Sequence, residues 1–374
     1  MWQPQGFYNQ YVLRTPVLLS GHESIRGLYN YPASRIAVIH GESFTYQDEF
    51  TAAFSDKDIR FRKRSWKGEP DLDGLKETIG WLEAYNPDLI IAVGGGSVID
   101  GCKICRLFYE VPYYEHGNTR LNGGIFNTGF VAIPTTVGSG AEVSSAAVFL
   151  DHENHRKDMI VLHELLPDVV VYDSRYVMNS SDRLLISSAL DAMAHILEGY
   201  VSNIDNSVMD VAAEEGMVLL RENLKLILRE NESPDPGRLQ YAGFLGGIVQ
   251  NHCIVGAAHA VAHQLTDHGY SHSEAVALLL PAVIRMNSSD TKTTEKYGRI
   301  AVKSGFDDID DMTAFIEQLL HFSGIDERRE PLADLLRDLM QDEAVRENIK
   351  NDRGGKGNPV EITDEYIEQL IGSI

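Results

Sequence analysis

The sequence predicts an α/β N-terminal half built to bind a dinucleotide, followed by an all-helical C-terminal half, with the change falling near residue 178. Three observations carry this. Short β-branched runs alternate with helical patterns before that point, strand signals nearly vanish after it, and two of the runs end in clusters of glycine and hydroxyl residues. The expected units are residues 1–177 and residues 178–374.

The first run is Arg35 to His40, R-I-A-V-I-H, which reads as a buried parallel strand and ends in Gly41-Glu42-Ser43. Leu72, Leu75, Ile79 and Leu82 then step by three and four, the apolar stripe of a crossover helix. Asp88 to Val93 is the next strand and runs into Gly94-Gly95-Gly96-Ser97 before helix-compatible sequence through Asp100. Glycines let the backbone approach a pyrophosphate, and free N–H groups at a helix start bind its charge. Cys102 and Cys105 follow at helical spacing and read as small buried helix residues rather than a redox pair. Gly129 to Ile133 is a third strand, and beyond Pro134 come Thr135, Thr136, Ser139 and Ser144 among glycines. Their hydroxyls suit phosphate, ribose or carboxamide, whereas a plain capped turn would use only some of them. Two such loops side by side favour a dinucleotide. Val169 to Tyr172 reads as the last strand, and Ser180-Ser181-Asp182 supplies N-cap residues for the helical run that follows.

With 374 residues and 43% hydrophobic content, the chain can bury a large core over two domains. A net charge of −22 excludes nucleic acid and anionic membrane as partners, because both are polyanions. No apolar run approaches the ~20 residues that span a bilayer, and Met1 to Gly6 lacks a signal pattern. Three cysteines are too few for a disulfide framework. The expected compartment is the cytoplasm.

The metal chemistry is concentrated between Gly256 and Ser273, which hold His259, His263, His268 and His272. His259 and His263 lie four apart, so a helix points both imidazoles the same way. Asp191 and His195 repeat that spacing upstream. Two such helices, closed by His272 from the turn beyond, would hold a divalent metal through one carboxylate oxygen and up to three ring nitrogens. Paired histidines on apolar helices also occur as satisfied core residues, and spacing alone leaves open which of these bind.

At these residues the sequence resembles the iron-containing, or group III metal-dependent, alcohol dehydrogenases over nearly its whole length. The likeness rests on G-G-G-S-x-x-D from Gly94 to Asp100, on P-T-T-x-G-[ST]-x-A-E-V from Pro134 to Val143, and on the spacing of Asp191, His195, His259, His263 and His272. Leu279-Leu280-Pro281, Arg285, Asn287 and Gly357-Asn358-Pro359 extend it. The resemblance implies the fold shared with dehydroquinate synthase, with the site in the cleft between the two domains. It implies Asp191, His195, His259 and His272 as metal ligands, and His263 as a residue facing nicotinamide and substrate for proton exchange or positioning. Gly95, Gly96, Ser97, Asp100, Thr135, Thr136, Ser139, Ser144 and Lys157 fall where the family contacts the dinucleotide; Lys157 alone would read as a solvated surface lysine.

The activity implied is hydride transfer between NAD(P) and a small, polar primary alcohol or aldehyde, using Fe2+ with Zn2+ as the alternative. The alternatives of the same fold are a dehydroquinate-synthase-like cyclase and a polyol or glycerol(-phosphate) dehydrogenase, which usually lack a histidine at the position of His195. A nucleotide- and metal-binding protein without turnover is the reading from another class. NAD-preferring relatives close the second strand with an acid; here Gly41 stands there and Ser43 follows, so NADP(H) is expected over NAD(H), with Glu42 opposing this if it turns inward. Some aliphatic-diol relatives carry an aromatic at the position of Gln250. On a helix continuous with His259, Gln250 and His252 would line a polar pocket, residue 252 returning to the same face about 10 Å along the axis. A homodimer formed through the N-terminal domain is the expected assembly.

Overall fold

The computed structural model describes residues 15–115, 118, 126–151, 156–177, 180–229, 232–265 and 268–374. Met1 to Gly6 and the residues 178–179 that begin the expected second unit lie outside the described residues. The α/β half contains β1 (Val17–Ser20), β2 (Arg35–His40), α1 (Gln47–Ala53), β3 (Asp58–Lys63), α2 (Leu72–Tyr85), β4 (Leu89–Gly94), α3 (Gly96–Glu110), β5 (Gly129–Pro134), β6 (Ala146–Asp151), β7 (Arg156–Val161) and β8 (Val169–Tyr172). Six strands form one sheet in the order β1-β8-β5-β4-β2-β3, every pair parallel, while β6 and β7 form a separate antiparallel hairpin.

Alternation along the strands assigns each side chain to one of two layers. Ile36, Val38, Leu89, Ile91, Val131, Ile133 and Val171 join Phe50 and Phe54 from the α1 region. Ala37, Ile39, Ile90, Ala92, Phe130, Ala132 and Val170 face α2 and α3 through Leu75, Leu82, Ile99 and Cys102, and that core continues into the helical half. Central strands covered on both faces must be apolar throughout, which is why their runs were readable. Strand β3 alternates charged with apolar residues as an edge, and β1 is four residues long and largely exposed, so neither carried that signal. Strand order reverses between β2 and β4: the chain moves out from β2 to β3, then from β4 the other way to β5. The crevice above the carboxyl ends of such a pair is where open α/β sheets bind ligands.

The helical half comprises α4 (Asp182–Val201), α5 (Ser207–Ile227), α6 (Pro236–Cys253), α7 (Ala257–Ala262), α8 (His272–Asn287), α9 (Thr291–Lys303), α10 (Ile309–Phe322), α11 (Arg329–Leu339), α12 (Glu343–Asn351) and α13 (Asp364–Ser373). Among the described residues no strand follows Tyr172. Ser181 caps α4, its Oγ accepting from the Leu184 N–H at 3.3 Å. Contrary to the expectation that no apolar run is long enough, α4 has the length and mean hydropathy of a membrane span, yet 89% of that window is buried in the core. Its burial also explains its composition, since a helix packed on all sides is apolar all round.

Glycines weld the two halves. A Cβ at Gly138, after β5, would lie 1.7 Å from the Ser188 carbonyl oxygen of α4, and one at Gly243 of α6 would lie 1.7 Å from the Val137 carbonyl oxygen. The hydroxyl-bearing loop is thereby pressed onto the helices that carry the metal-type residues.

Candidate metal centre and nucleotide cleft

Helix α4 places Asp191 and His195 one turn apart, α7 brings His259, and His272 opens α8 behind the N-cap Ser271. Asp191 Oδ1 lies 3.5 Å from His259 Nε2 and 3.9 Å from the Nε2 atoms of both His195 and His272. Donors at ~2.1 Å from one tetrahedral ion sit roughly 3.4 Å apart, so these separations suit a shared divalent metal. Asp191 Oδ1 and His259 Nε2 are buried and have no hydrogen-bond partner among the described residues. Leaving a buried carboxylate oxygen unpaired is costly unless a ligand completes it.

The surroundings fix which atoms face that point. Glu198, three residues beyond His195 on the same helix, accepts from His259 Nδ1 at 2.5 Å and from the Ala258 N–H at 2.7 Å. That bond turns Nε2 toward Asp191, the arrangement by which an outer carboxylate orients a ligating imidazole. Burial opposes a charge on His259, but Glu198 and Asp191 lift its pKa to about 9, whereas burial drives His195 down to about 4. Burial first, and then the Lys157 charge, hold His272 well below the usual imidazole range. Asp191 and Glu198, the two carboxylates beside these rings, favour a cation at the point the ring nitrogens face. Asn358 accepts from the Ala257 N–H at 3.2 Å and exchanges amide hydrogen bonds with Asn287 at 2.9 and 3.0 Å, which gives both residues a bracing role beneath α7.

His263 departs from the spacing argument. It ends α7, its ring stands at 71° to that of His259, and its Nδ1 pairs with Asp352 at 2.8 Å. It also stacks near His272, with ring centroids 5.5 Å apart. Burial disfavours charge on Asp352, but His263 and the N–H groups of Gly354 and Gly355 hold its pKa below the usual value. Neither Glu198 nor Asp352 was anticipated. Glu198 had a signal, seven residues past Asp191 on one helix face; Asp352 had none, being 89 residues from its partner.

On the α/β side, α3 starts behind Gly95 as its N-cap, with no side-chain cap, so its first N–H groups are open to an anion. A Cβ on Gly95 would sit 3.2 Å from Thr136 Cγ2, and one on Gly96 would sit 2.8 Å from Ser139 Cβ. The two loops therefore face each other, with Thr135 at the strand end between them. Ser97 Oγ receives hydrogen bonds from Arg64 Nη1 at 3.0 Å and Trp66 Nε1 at 3.2 Å, and donates to the Gly68 carbonyl. Gly41 is half-buried at the end of β2, Ser43 is exposed, and Glu42 pairs with Lys63. Lys157 is no surface lysine: its side chain is 4% exposed and its Nζ pairs with Glu69 at 2.9 Å. The hairpin carries it over the cleft.

Three sequence expectations are corrected here. Both oxygens of Asp100 are used elsewhere, by Lys103 Nζ at 3.0 Å and the Val148 N–H at 3.1 Å, so it anchors the hairpin. Ser144 Oγ accepts from the Ala146 N–H at 3.0 Å and serves the turn into β6. The single helix expected through Gln250, His252 and His259 is broken: Ile254 adopts left-handed backbone at φ 61°, and α7 starts only at Ala257. Gln250 Nε2 instead donates to the Ser139 carbonyl at 3.0 Å, and His252 Nδ1 bonds the Ile248 carbonyl at 2.8 Å within its own helix. The helical-face argument for both as pocket residues fails. Cys102, Cys105 and Cys253 are buried free thiols, raised in pKa by burial, as the non-redox reading required.

Residues 17–174 match the family described as iron-containing alcohol dehydrogenase, and residues 185–374 match the C-terminal part of the Fe-containing alcohol dehydrogenase family. The chain is 30% identical to the 1-propanol dehydrogenase PduQ of Salmonella typhimurium strain LT2 over 258 residues, 67% of each chain. It is also 30% identical over 257 residues to the aldehyde-alcohol dehydrogenase of Streptococcus pneumoniae serotype 4, covering 64% of this chain but only 29% of that longer protein. The structure of the iron-containing alcohol dehydrogenase of Thermococcus thioreducens superposes with a TM-score of 0.83 at 25% identity, covering 96% of this chain and 97% of that one.

Proposed function

Because the chain belongs to the iron-containing alcohol dehydrogenase family, we propose that it is a metal-dependent NAD(P)-linked alcohol dehydrogenase or aldehyde reductase acting on a small, polar primary alcohol or aldehyde. The observation that carries this reading is the Asp191 oxygen facing three imidazole nitrogens at 3.5 to 3.9 Å, buried and without a partner, beneath a loop pressed onto the same helix. A bound Fe(II), or Zn(II) in its place, supplies Lewis acidity toward the substrate oxygen. Asp191, His195, His259 and His272 hold it; nitrogen and carboxylate donors suit either ion.

Gly95, Gly96 and Ser97 cradle the nucleotide through backbone N–H groups and Thr135, Thr136 and Ser139 through hydroxyls, and Lys157 supplies positive charge beside them. NADP(H) is the preferred nucleotide, supported by Gly41, which puts no side chain at the end of β2 and where a Cβ would meet only Val98 Cγ2 at 3.6 Å. Asp352 takes up Nδ1 of His263 and leaves Nε2 to exchange the substrate proton. Gln250, held at the Ser139 carbonyl, supports a polar rather than an aromatic wall. The division between units lies at 177/178, between the end of β8 and the start of α4. A cytoplasmic homodimer fits three buried free cysteines and the exposed edge strand β1, where Val17 is 61% and Leu18 38% exposed.

The test is turnover of protein reconstituted with Fe(II) or Zn(II), followed at the reduced-nicotinamide absorbance. Butanal is compared with a chain-matched aldehyde bearing a terminal hydroxyl or carboxylate, with both nucleotides. Faster reduction of the polar aldehyde is expected. No turnover with either metal would overturn the enzymatic reading, and a butanal preference the polar-substrate part of it.

A further inference from the structure

We propose that Arg64 receives the 2′-phosphate of NADP(H) and sets the preference for the phosphorylated nucleotide, with Lys63 neutralising the neighbouring Glu42. This rests on the NADP(H)-linked reading above and names the residue that enforces it. Register places Arg64 at the right spot. Strand β3 pairs with β2 so that Lys63 is level with His40, which makes Arg64 level with Gly41, and the Arg64 N–H donates to the His40 carbonyl at 3.0 Å. On its other side β2 pairs with β4, His40 level with Val93. The Arg64 side chain therefore crosses the end of β2 to reach the start of α3, where Nη1 bonds Ser97 Oγ at 3.0 Å while also donating to the Gly68 carbonyl at 3.1 Å.

The guanidinium thus spans the crevice where strand order reverses, between Gly41 and the phosphate loop. Its Nε is buried and has no partner among the described residues, a donor left over after those contacts. An isolated buried N–H on a cation is unfavourable unless an acceptor arrives. Gly41, level with Arg64 in the strand register, carries no side chain, and the nearest atom to a Cβ there is the Val98 methyl at 3.6 Å. Glu42, which would repel a phosphate, is exposed and paired with Lys63. An arginine fork matches a phosphate monoester by two parallel hydrogen bonds, which a lysine cannot reproduce. A strut that merely braces Ser97 would need neither the free Nε nor the empty position at Gly41.

The experiment is calorimetric titration of the full chain with ADP and with 2′,5′-ADP, fragments whose binding reads the adenosine end without turnover. Wild type is expected to bind 2′,5′-ADP about tenfold or more tightly than ADP, the scale of a charge-assisted pair. Arg64→Ala should lose most of that ratio while ADP affinity stays within roughly twofold, and Arg64→Lys should fall between, as expected for a lost fork. Arg64→Gln, which keeps a neutral polar side chain that ends where the arginine Nε stood, carries the same test should the alanine variant fail to fold. A ratio that survives in the variants sinks the role of Arg64 and leaves the NADP(H) reading standing. Equal weakening of ADP and 2′,5′-ADP also overturns it, since Arg64 would then only support Ser97. No preference in wild type overturns both.

Discussion

The metal centre and the nucleotide cleft meet at one loop, yet they are made of opposite materials. The metal centre is built of side chains on helices: Asp191, His195 and His259 are 5%, 3% and 3% exposed and converge on one point from α4 and α7. The cleft is built of backbone and of absent side chains, with glycines at 41, 95 and 96 and half-exposed hydroxyls at its rim. A buried set of charged donors gains affinity from preorganisation and loses it sharply when one member goes. A partly solvated cleft recognises its ligand through many weaker contacts, so single residues there shift preference rather than abolish binding.

The sharpest way to break this contrast is to remove a ligand. Asp191→Ala and His259→Ala should each abolish metal retention, read by elemental analysis after dialysis, and turnover with it, while leaving ADP binding near wild type. A ligand variant that keeps its metal and its activity would remove the basis for the site. Glu198→Gln comes next. It keeps the shape but weakens the hold on the His259 Nδ1 hydrogen, so metal affinity should fall about 10- to 100-fold, as for other outer-shell partners, in a chelator competition. Unchanged affinity would mean that the packing of α7 alone orients the ring.

How much of each region could be read beforehand follows the same contrast. Spacing of four on a helix is a local code that picks out Asp191 with His195 and His259 with His263; it does not separate His263 from His259, which only the family resemblance did, because its partner Asp352 arrives from the end of α12. Glu198 lay in plain sight on the face of α4. The Gly-rich loops were legible because glycine is required where Thr136 and Ser139 approach the backbone. The single helix through Gln250, His252 and His259 was misread because nothing in C-I-V-G announces that a β-branched Ile254 will adopt left-handed backbone and end a helix. Arg64 escaped notice because it follows an exposed edge strand, where arginine is the ordinary residue; only the pairing of β3 with β2 gives it a place. Local periodicity exposes what lies on one element, and tertiary pairing decides the rest.

On the cleft side, Gly41→Asp should be tolerated, since the added Cβ meets only a methyl group at 3.6 Å. A carboxylate there would weaken 2′,5′-ADP about tenfold, or ~1.4 kcal/mol, the size of a like-charge contact over a few ångströms in a partly solvated site. ADP should bind as well as before or better. If both ligands bind as in wild type, the adenosine ribose does not sit at the end of β2.

The last effect is on stability and on the orientation of His263, through Asp352. Burial works against its ionisation, but His263 and two backbone N–H groups outweigh it and hold the folded-state pKa below the ordinary carboxylate value of 3.8. A depressed folded pKa means that the unfolded chain binds more protons in that range, so the contribution to stability is complete above 3.8 and drains away as pH falls through the lower folded value. Asp352→Asn should therefore be less stable than wild type by about 1 to 3 kcal/mol at pH 7, the scale of hydrogen bonds to a charged group. Urea titrations should give a gap that shrinks below about pH 4, where wild type begins to take up the proton. The same variant should lower kcat with ADP affinity and metal content unchanged, because His263 loses the acceptor that fixes its tautomer while the four ligands keep theirs. A stability gap that does not narrow in acid would show that the Asp352 carboxylate matters as a shape at the end of α12 and not as a charge. Unchanged kcat would separately remove it from the positioning of His263.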